Sequence, residues 1–288
     1  MSLNTIATFV CLAISGVNVA AARELTEHSS SQQTLHFAQA AGRTLDVRTI
    51  EGVITVEAYD GHDVEILVNK SISAETQDDL RAAEREVILD TSDDATAMRA
   101  IVRYPDQPAC GDRSDHRHQW SELRYDVRYD FTIRVPRDTR LELCTINEGH
   151  IVVQGTQGDF LFRTVNGRIT MTDVAGSGEA TTVNGRVTAS FVSAPRAPSL
   201  FKTVNGDVIL TMPDSLAADL RMKTFNGGLY TDFDVQTLPS VALVKTERRD
   251  GMFVYRSTGF TRVRAGGGGP ELTLDTLNGD VRVLKRSN

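Results

Sequence analysis

"TVNGRIT" (residues 164–170) is one copy of a seven-residue sequence that recurs in the second half of this 288-residue chain. The other copies are "TVNGRVT" at 182–188, "TVNGDVI" at 203–209, "TFNGGLY" at 224–230 and "TLNGDVR" at 276–282. Asn-Gly is a turn signal, because both residues tolerate a positive φ at little steric cost. One copy indicates one turn, and five copies therefore indicate a repeated architecture.

The spacing of the copies defines the repeat. The turn asparagines fall at 147, 166, 184, 205 and 226, about twenty residues apart, and the last falls at 278. A second group of turn residues, such as Gly155–Gly158, lies between successive asparagines. Self-similarity at this period indicates either a solenoid or a series of hairpins. The predicted structural turns are Asn166-Gly167, Asn184-Gly185, Asn205-Gly206, Asn226-Gly227 and Asn278-Gly279.

The side chains around each turn distinguish these two architectures. In a two-residue hairpin, the residue before Asn pairs with the residue after Gly on the same face. This would place Val165 opposite Arg168, and each other apolar residue before Asn opposite a polar residue or a glycine. In a stacked coil, the apolar residue can turn inward at the corner, while Thr, Asn and Gly stack on those of the next coil and the amides form a ladder. The pattern favours an all-β solenoid of stacked coils, and a meander of hairpins remains the alternative.

The first half of the chain is organised differently. We divide the chain into a signal peptide (1–22), a lead-in segment (23–44) with a polar stretch at 28–34 that we expect to be mobile, a β-rich part (45–140) and the repeat region (141–288). The β-rich part contains one predicted helix at 74–87, with apolar residues at helical spacing, and a charged loop around Cys110. Residues 49–52 ("TIEG") have the form of a degenerate repeat, with Glu51 in the asparagine position.

The amino terminus has the pattern of a secretory signal peptide. Residues 6–14 are almost wholly apolar or small, and Val19–Ala22 precede the first charged residue, Arg23. A short apolar run before an A-x-A-like site is typical of a cleaved signal, and it is too short for a transmembrane span. Because residues 1–5 contain no Lys or Arg, a buried amino-terminal helix remains the alternative. We expect export to the periplasm or cell surface, with no integral membrane span in the mature chain.

Export changes the interpretation of the cysteines, because disulfides persist in oxidising compartments. If Cys11 leaves with the signal peptide, Cys110 and Cys144 remain as one pair. We predict a disulfide between them, which would contribute about 3 kcal/mol by closing a loop of this length. Two unrelated thiols are the alternative.

Several of these features together resemble a known family. They are the recurring TVNG sequence, the strand end "IRVP" at 133–136 and the closing "GGGPELTLDTLNGDVRV" at 267–283. From about residue 45 to residue 284, the chain is similar to the bacterial family of adhesin-like domains of unknown function. That resemblance implies a right-handed, single-stranded β-helix or β-roll, an exported or envelope-associated location and no established reaction. Only the Asn-Gly corners carry over, while Glu51, the additional Glu148, the helix and the Cys110 loop depart from the family pattern.

Metal and cofactor chemistry has little support in the sequence. The chain lacks a Walker loop and a dinucleotide fingerprint, so we predict no cofactor. The candidate metal ligands are Asp112, Asp115, His116 and His118. Interleaved arginines would repel a cation, which favours a solvated loop and no metal site. The net charge of -7 gives no basic face for nucleic acid.

Catalytic residues are not predicted either. The chain has no Gly-x-Ser-x-Gly elbow. The carboxylates near the repeats are Asp159, Asp173, Asp207 and Asp232. They occupy different positions in their repeats, which favours a solvated face over a glycan-cleaving pair.

The repeat region therefore favours a non-enzymatic, exported, adhesin-like protein of the cell envelope. Outward residues such as Arg168, Arg186 and Asp207 would stand in register and present a surface to an envelope protein or glycan. The alternatives are a β-helix glycan-processing enzyme and an accessory partner in envelope stress signalling.

Replacing both Asn184 and Gly185 by valine tests the importance of a corner. The change places β-branched residues where the turn requires a positive φ. We expect loss of cooperative folding and destabilisation by more than about 2 kcal/mol, measured by thermal and urea unfolding. An unchanged melting curve would contradict the stacked corners.

Overall fold

A computed structural model describes the chain over residues 24–37, 42–94, 96–105, 107–111, 123–239, 244–249, 252–257 and 259–286. The signal-peptide prediction (1–22) and the candidate metal ligands at 112–118 lie outside these residues. Among the described residues, no helix has the length and apolar character needed to span a membrane.

The described chain is nearly all β, with a single helix. The amino-terminal elements are β1 (Leu25–His36), β2 (Thr44–Arg48), β3 (Ile54–Tyr59), β4 (Asp63–Ala74), α1 (Gln77–Glu86), β5 (Ile88–Asp93), β6 (Ala97–Arg103) and β7 (Tyr125–Pro136). The next elements are β8 (Arg140–Cys144), β9 (Ile151–Gln154), β10 (Phe160–Arg163), β11 (Ile169–Val174), β12 (Gly178–Thr181), β13 (Val187–Phe191), β14 (Ser199–Lys202), β15 (Val208–Met212), β16 (Ala218–Lys223) and β17 (Leu229–Thr231). The last are β18 (Val235–Thr237), β19 (Val244–Arg249), β20 (Met252–Ser257), β21 (Thr261–Ala265), β22 (Glu271–Asp275) and β23 (Val281–Lys285).

These strands form two large mixed sheets and one hairpin sheet. Sheet 1 has ten strands in the order β1-β4-β7-β3-β9-β11-β13-β15-β23-β17. Sheet 2 has eleven strands in the order β18-β21-β16-β22-β14-β12-β10-β8-β2-β6-β5. Strands β19 and β20 pair only with each other among the described residues.

Alternating side chains explain how the strands bury a common core. In β11, Ile169 and Met171 are buried while Thr170 between them is partly exposed, as expected when successive side chains point to opposite faces. The buried side chains of both sheets join in one hydrophobic cluster. Phe162 and Phe201 are among its largest fully buried members.

The hairpin alternative is wrong, because the strands on either side of an Asn-Gly turn belong to different sheets. Strand β10 pairs in parallel with β8 and β12 in sheet 2. Strand β11, which follows Asn166-Gly167, pairs in parallel with β9 and β13 in sheet 1. The Asn-Gly turn is therefore a corner at which the chain passes from one sheet to the other. We call each sheet-2 strand, its corner and the following sheet-1 strand a rung, named by its asparagine.

The rungs do not stack in chain order. Strand β22 lies between β14 and β16, and β23 lies between β15 and β17. The Asn278 rung is therefore inserted between the Asn205 and Asn226 rungs, which corrects the expectation that each coil stacks on the next. Of the strands described between Asp232 and Pro270, β21 pairs antiparallel with β16, and the chain then returns as β22 and β23 to form the inserted rung.

The glycine of each corner is required by the contact between rungs. A Cβ added to Gly206 would lie 2.2 Å from the Gly185 carbonyl oxygen, and one added to Gly185 would lie 2.1 Å from that of Gly167. Gly206 also has a φ of 151°, which L-residues rarely adopt. A side chain at either position would push the rungs apart.

The prediction that the polar stretch at 28–34 of the lead-in segment is mobile is wrong. Residues 25–36 form β1, which pairs antiparallel with β4 along twelve residues. Edge-strand pairing rests on backbone hydrogen bonds, which the polar side chains of "HSSSQQT" (28–34) neither supply nor prevent. Strand β1 of the lead-in segment is therefore the edge strand at one end of sheet 1.

The predicted helix at 74–87 is present but shorter, at Gln77–Glu86. Ala74 is still part of β4, and the Thr76 hydroxyl caps the helix by accepting the Asp79 N–H at 3.1 Å. Capping of this kind satisfies a backbone donor that the first helical turn leaves free. Leu80 is buried, and the helix contacts β4 and β7.

The predicted disulfide is confirmed. Cys110 and Cys144 are bonded, with their Cα atoms 5.6 Å apart and a sequence separation of 34 residues. Cys144 ends β8, so the bond attaches the segment before residue 112 to sheet 2. The loop is long enough for its closure to contribute about 3 kcal/mol.

Two glycine-to-alanine variants separate contact between rungs from a general effect of losing glycine. Gly206→Ala should destabilise the protein by more than about 2 kcal/mol, because its Cβ meets a backbone oxygen of the neighbouring rung. Gly267→Ala is the matched control, because nothing lies within 4 Å of its added Cβ. The measurement is urea unfolding, and equal stabilities of the two variants would contradict the close stacking.

Candidate binding surface

The corners of six rungs form one surface, which we call the corner face. It consists of residues 146–150, 165–168, 183–186, 204–207, 277–280 and 225–228. Within each corner, the Thr, the apolar residue, the Asn and the Gly each occupy the same position relative to the stack, so equivalent residues of neighbouring rungs lie side by side. Four rows of side chains result, and each row runs from rung to rung; the threonine row points inward and the other three lie on the outside.

The threonine row points inward and holds neighbouring rungs together. The Thr182 hydroxyl donates to the Gly167 carbonyl at 2.8 Å, and Thr276 donates to Gly206 at 2.8 Å. The same bond recurs at Thr145 to Gly52, Thr164 to Gly149, Thr203 to Gly185 and Thr224 to Gly279. These hydroxyls are buried or partly buried, and each satisfies a carbonyl that the corner removes from the sheet ladder.

The asparagine row forms a continuous amide ladder on the outside. Each Nδ2 donates to the Oδ1 of the neighbouring rung. The distances are 3.1 Å for Asn166 to Asn147, 2.8 Å for Asn184 to Asn166, 2.7 Å for Asn205 to Asn184, 2.6 Å for Asn278 to Asn205 and 2.7 Å for Asn226 to Asn278. All five bonds run in the same direction along the stack. An aspartate at any interior position would remove a donor and break the ladder.

Four of the six side chains in the apolar row are exposed, and the other two, Ile146 and Val204, are half-buried, which corrects the expectation that this residue turns inward. The exposed fractions are 37% for Val165, 39% for Val183, 46% for Leu277 and 57% for Phe225. Threonine takes the interior position because its hydroxyl has a carbonyl partner there. The exposed apolar side chains therefore form a line beside the asparagine ladder. Neighbouring exposed apolar side chains of this kind indicate a candidate contact site.

The third outward row consists of the residues that follow the corner glycines, and four of its six members are charged: Arg168, Arg186, Asp207 and Asp280. Arg168, Arg186 and Asp207 stand in register, as predicted, because the residues that follow them pair directly across β11, β13 and β15. Arg186 is paired with Asp207 at 2.8 Å. Within the described residues, Arg168 has no carboxylate partner, so its guanidinium is available to a ligand.

His150 begins the charged row and stays neutral at pH 7. Partial burial lowers its pKa, and the positive charges of Arg168 and Arg128 lower it further. Its Nδ1 accepts the Arg168 backbone N–H at 3.2 Å, which requires the unprotonated ring nitrogen. The row therefore presents one free cation beside an uncharged imidazole.

A shallow groove of about 700 Å³ lies between the charged row and the outer face of sheet 1. It is lined by Val152, Arg168, Thr170, Gly185, Arg186, Thr188, Asn205, Gly206 and Asp207. Hydroxyl, amide and guanidinium groups supply hydrogen bonds, and Val152 supplies apolar contact. Such a lining suits an extended polar ligand better than a compact apolar one.

The acidic residues considered as catalytic candidates each hold a structural contact. Asp159 accepts the Ser177 N–H at 2.9 Å, and Asp232 accepts the Lys285 N–H at 2.7 Å. Asp173 is paired with Arg286 at 2.7 Å, and Asp207 is paired with Arg186. The structure does not bring them together in one groove. The described residues also contain no group of three or more potential metal ligands.

Glu51 occupies the asparagine position at the first end of the ladder. It forms a parallel bridge with Asn147, so the degenerate repeat at 49–52 stacks on the Asn147 rung. Partial burial raises the pKa of the Glu51 carboxyl, and the negative charges of Asp126 and Glu148 raise it further. Among the described residues, nothing accepts a hydrogen bond from the side-chain Nδ2 of Asn147, while its backbone N–H donates to the Ile50 carbonyl at 2.7 Å.

The exposed apolar row and His150 were not identified from the sequence. The sequence does show an apolar residue before the asparagine of every corner. Periodicity alone, however, does not determine whether this apolar residue or the threonine before it faces the core. That choice depends on the carbonyl of the adjacent rung.

Comparison with known proteins identifies no family for this chain. No family model and no curated protein matches it. A candidate cell adhesion protein from Clostridium sporogenes aligns with a TM-score of 0.44 at 10% identity, over 92% of this chain and 100% of that chain. A candidate lipid-binding protein from Parabacteroides distasonis gives 0.33 at 8% identity, over 90% and 97%. A candidate adhesin from Bacteroides fragilis gives 0.26 at 9% identity, over 92% and 98%.

Glu51→Asn should stabilise the protein by about 1 kcal/mol at pH 7, the usual size for a change toward a repeat consensus. The variant removes a carboxylate whose pKa is raised in the folded state and supplies an acceptor for Asn147. A raised carboxyl pKa costs stability above the unfolded-state pKa, so the gain should shrink as the pH falls from the raised folded-state pKa to the unfolded-state value of about 4.3.

The measurement is the difference in unfolding free energy between variant and wild type across this pH range. Glu51→Gln removes the charge but keeps a side chain longer than that of asparagine. It therefore separates the electrostatic contribution to the stability gain from the contribution of the ladder hydrogen bond. A gain that is absent at pH 7, or that grows on acidification, would contradict this role of Glu51.

Proposed function

We propose that this chain is an exported, non-enzymatic, adhesin-like scaffold of the cell envelope, which binds an extended glycan or protein segment through the corner face. The observation that carries the proposal is that three different rows of side chains lie on one surface. The amide row continues through all six rungs, and charged side chains and exposed apolar side chains recur beside it at four rungs each.

We infer that the rungs are coils of a right-handed, single-stranded β-helix, as the family resemblance implies. Parallel pairing from rung to rung in both sheets supports this inference. Parallel strands joined through a crossover are almost always connected in the right-handed sense. The division into a β-rich part (45–140) and a repeat region (141–288) is part of the same proposal.

A repeating surface suits a repeating or extended ligand. Neighbouring strands in a sheet lie about 4.8 Å apart, so equivalent side chains recur at that interval along the stack. Several weak contacts at fixed spacing add up when the ligand is long enough to reach them all. A carboxylate or phosphate on the ligand would find its partner in Arg168, whose planar guanidinium can donate two parallel hydrogen bonds.

The non-enzymatic part of the proposal rests on the acidic side chains. Asp159 and Asp232 accept backbone N–H groups, and Asp173 and Asp207 are paired with arginines. Glycan cleavage needs two carboxyl groups about 5–10 Å apart across a groove, free to hold or release a proton. Carboxylates held by backbone N–H groups or by arginines are poorly suited to act as the acid or base of glycan cleavage.

Export is supported by the covalent chemistry of the chain. The Cys110–Cys144 disulfide would be rare in a reducing cytosol and is ordinary in the periplasm or at the cell surface. The signal-peptide pattern at 1–22 agrees with that location.

Arg168→Ala tests the corner face, with Arg163→Ala as the matched control. Both arginines are exposed and belong to the same rung, but Arg163 lies on sheet 2 before the corner. Binding of the mature chain is measured on separate polysaccharide and protein fractions of the source envelope, before and after glycosidase or protease digestion. We expect Arg168→Ala to weaken binding about tenfold, a loss of about 1.4 kcal/mol, and Arg163→Ala to leave it unchanged.

Two outcomes would overturn the proposal. Equal binding by both variants would place the contact elsewhere on the molecule. Release of reducing sugar ends from the polysaccharide fraction by the wild type would favour the glycan-processing enzyme.

A further inference from the structure

The five Asn-Gly pairs share a chemical liability. When the backbone nitrogen after an asparagine attacks the side-chain carbonyl carbon, a new N–Cγ bond forms. The Cγ–Nδ2 bond breaks, the nitrogen's proton leaves with the amide as ammonia, and a cyclic succinimide remains. Water then opens the ring at either carbonyl and leaves aspartate or isoaspartate. Glycine offers the least steric hindrance to this attack, since it has no Cβ.

Three of the five pairs have their attacking nitrogen engaged by the next rung. The Gly185 N–H donates to the Asn205 carbonyl at 2.9 Å, Gly206 donates to Asn278 at 2.8 Å and Gly279 donates to Asn226 at 3.0 Å. Their asparagine side chains are also held on both sides by the amide ladder. The reaction at these rungs must wait for the rungs to open.

Asn226-Gly227 lacks both restraints because it is the last rung of the stack. Strand β17, which follows it, is an edge strand of sheet 1. Among the described residues, the Gly227 N–H has no acceptor and nothing donates to Asn226 Oδ1. The side chain makes one ladder bond, from its Nδ2 to Asn278, and is exposed.

Asn166-Gly167 is the intermediate case. The Gly167 N–H has no backbone acceptor within the described chain, but the Asn166 amide is bonded on both sides, to Asn147 and from Asn184. Rotating that side chain toward the nitrogen would break two ladder bonds, while at Asn226 it would break one.

We propose that Asn226 is a modification site of the folded protein, at which deamidation through a succinimide occurs in preference to the other four Asn-Gly pairs. The product lacks the donor that bonds to Asn278 Oδ1 and places a carboxylate beside that oxygen. Isoaspartate also lengthens the backbone at a corner where a Cβ on Gly227 would already lie 1.9 Å from the Gly279 carbonyl oxygen. Deamidation therefore loosens the terminal rung and exposes the edge of β23.

The test is peptide mapping of the wild-type chain, so no variant has to fold. The chain is incubated in warm, mildly alkaline buffer, and conversion at each of the five asparagines is followed by mass spectrometry and by enzymatic methylation of isoaspartate. In the folded protein, Asn226 should convert at least about tenfold faster than Asn184, Asn205 and Asn278, because those react only through opening of a rung. Asn166 should fall between them.

The urea-unfolded chain is the control, and there the five rates should converge to within a few-fold. Asn226→Gln should remove the fast phase and leave the other four rates unchanged. Equal rates in the folded protein, or a fast phase at a central rung, would overturn the proposal. Rates that stay unequal in urea would show that sequence context, and not the stack, sets the order.

Discussion

The close contact between successive corners is the constraint on which the rest of the structure depends. Each corner places a threonine hydroxyl on the glycine carbonyl of the neighbouring rung and leaves no room for a Cβ on the glycine. The asparagine amides then fall within hydrogen-bonding distance of one another. One seven-residue sequence thus satisfies the backbone groups that a change of sheet would leave unpaired. The strands on either side need only supply alternating apolar residues to fill the core.

The same contact explains why the rungs can stack out of chain order. Every corner presents the same donors to one neighbouring rung and the same acceptors to the other. The Asn278 rung can therefore lie between Asn205 and Asn226 as well as a consecutive rung would. The inserted rung places β22 and β23, near the end of the described chain, at positions with a neighbouring strand on each side in both sheets. Such pairing has high sequence separation, and we expect it to form late in folding, because the loop entropy must be overcome before its contacts form.

The ends of the stack differ from its centre in ways that bear on function. At one end, Glu51 replaces the asparagine, and further strands, including the polar strand β1, cover the rungs. At the other end, the Asn226 rung has a neighbour on one side only in sheet 1. Between them, every corner repeats a threonine, an apolar residue, an asparagine and a glycine. The corner face is thus suited to the proposed extended ligand along its length, while the proposed deamidation occurs at the end of the stack, at the Asn226 rung.

The sequence by itself determined the local features of this protein. The positions of the corners, the all-β character, the end of β7 at Pro136 and the Cys110–Cys144 pair follow from turn propensity, alternation and cysteine parity. The tertiary structure alone decided the order of the rungs, the recruitment of Leu25–His36 as an edge strand and the outward position of the apolar corner residues. The physical reason is that these three outcomes depend on backbone groups of distant segments. A repeated sequence offers every rung the same partners, so its local pattern does not specify which partner is chosen.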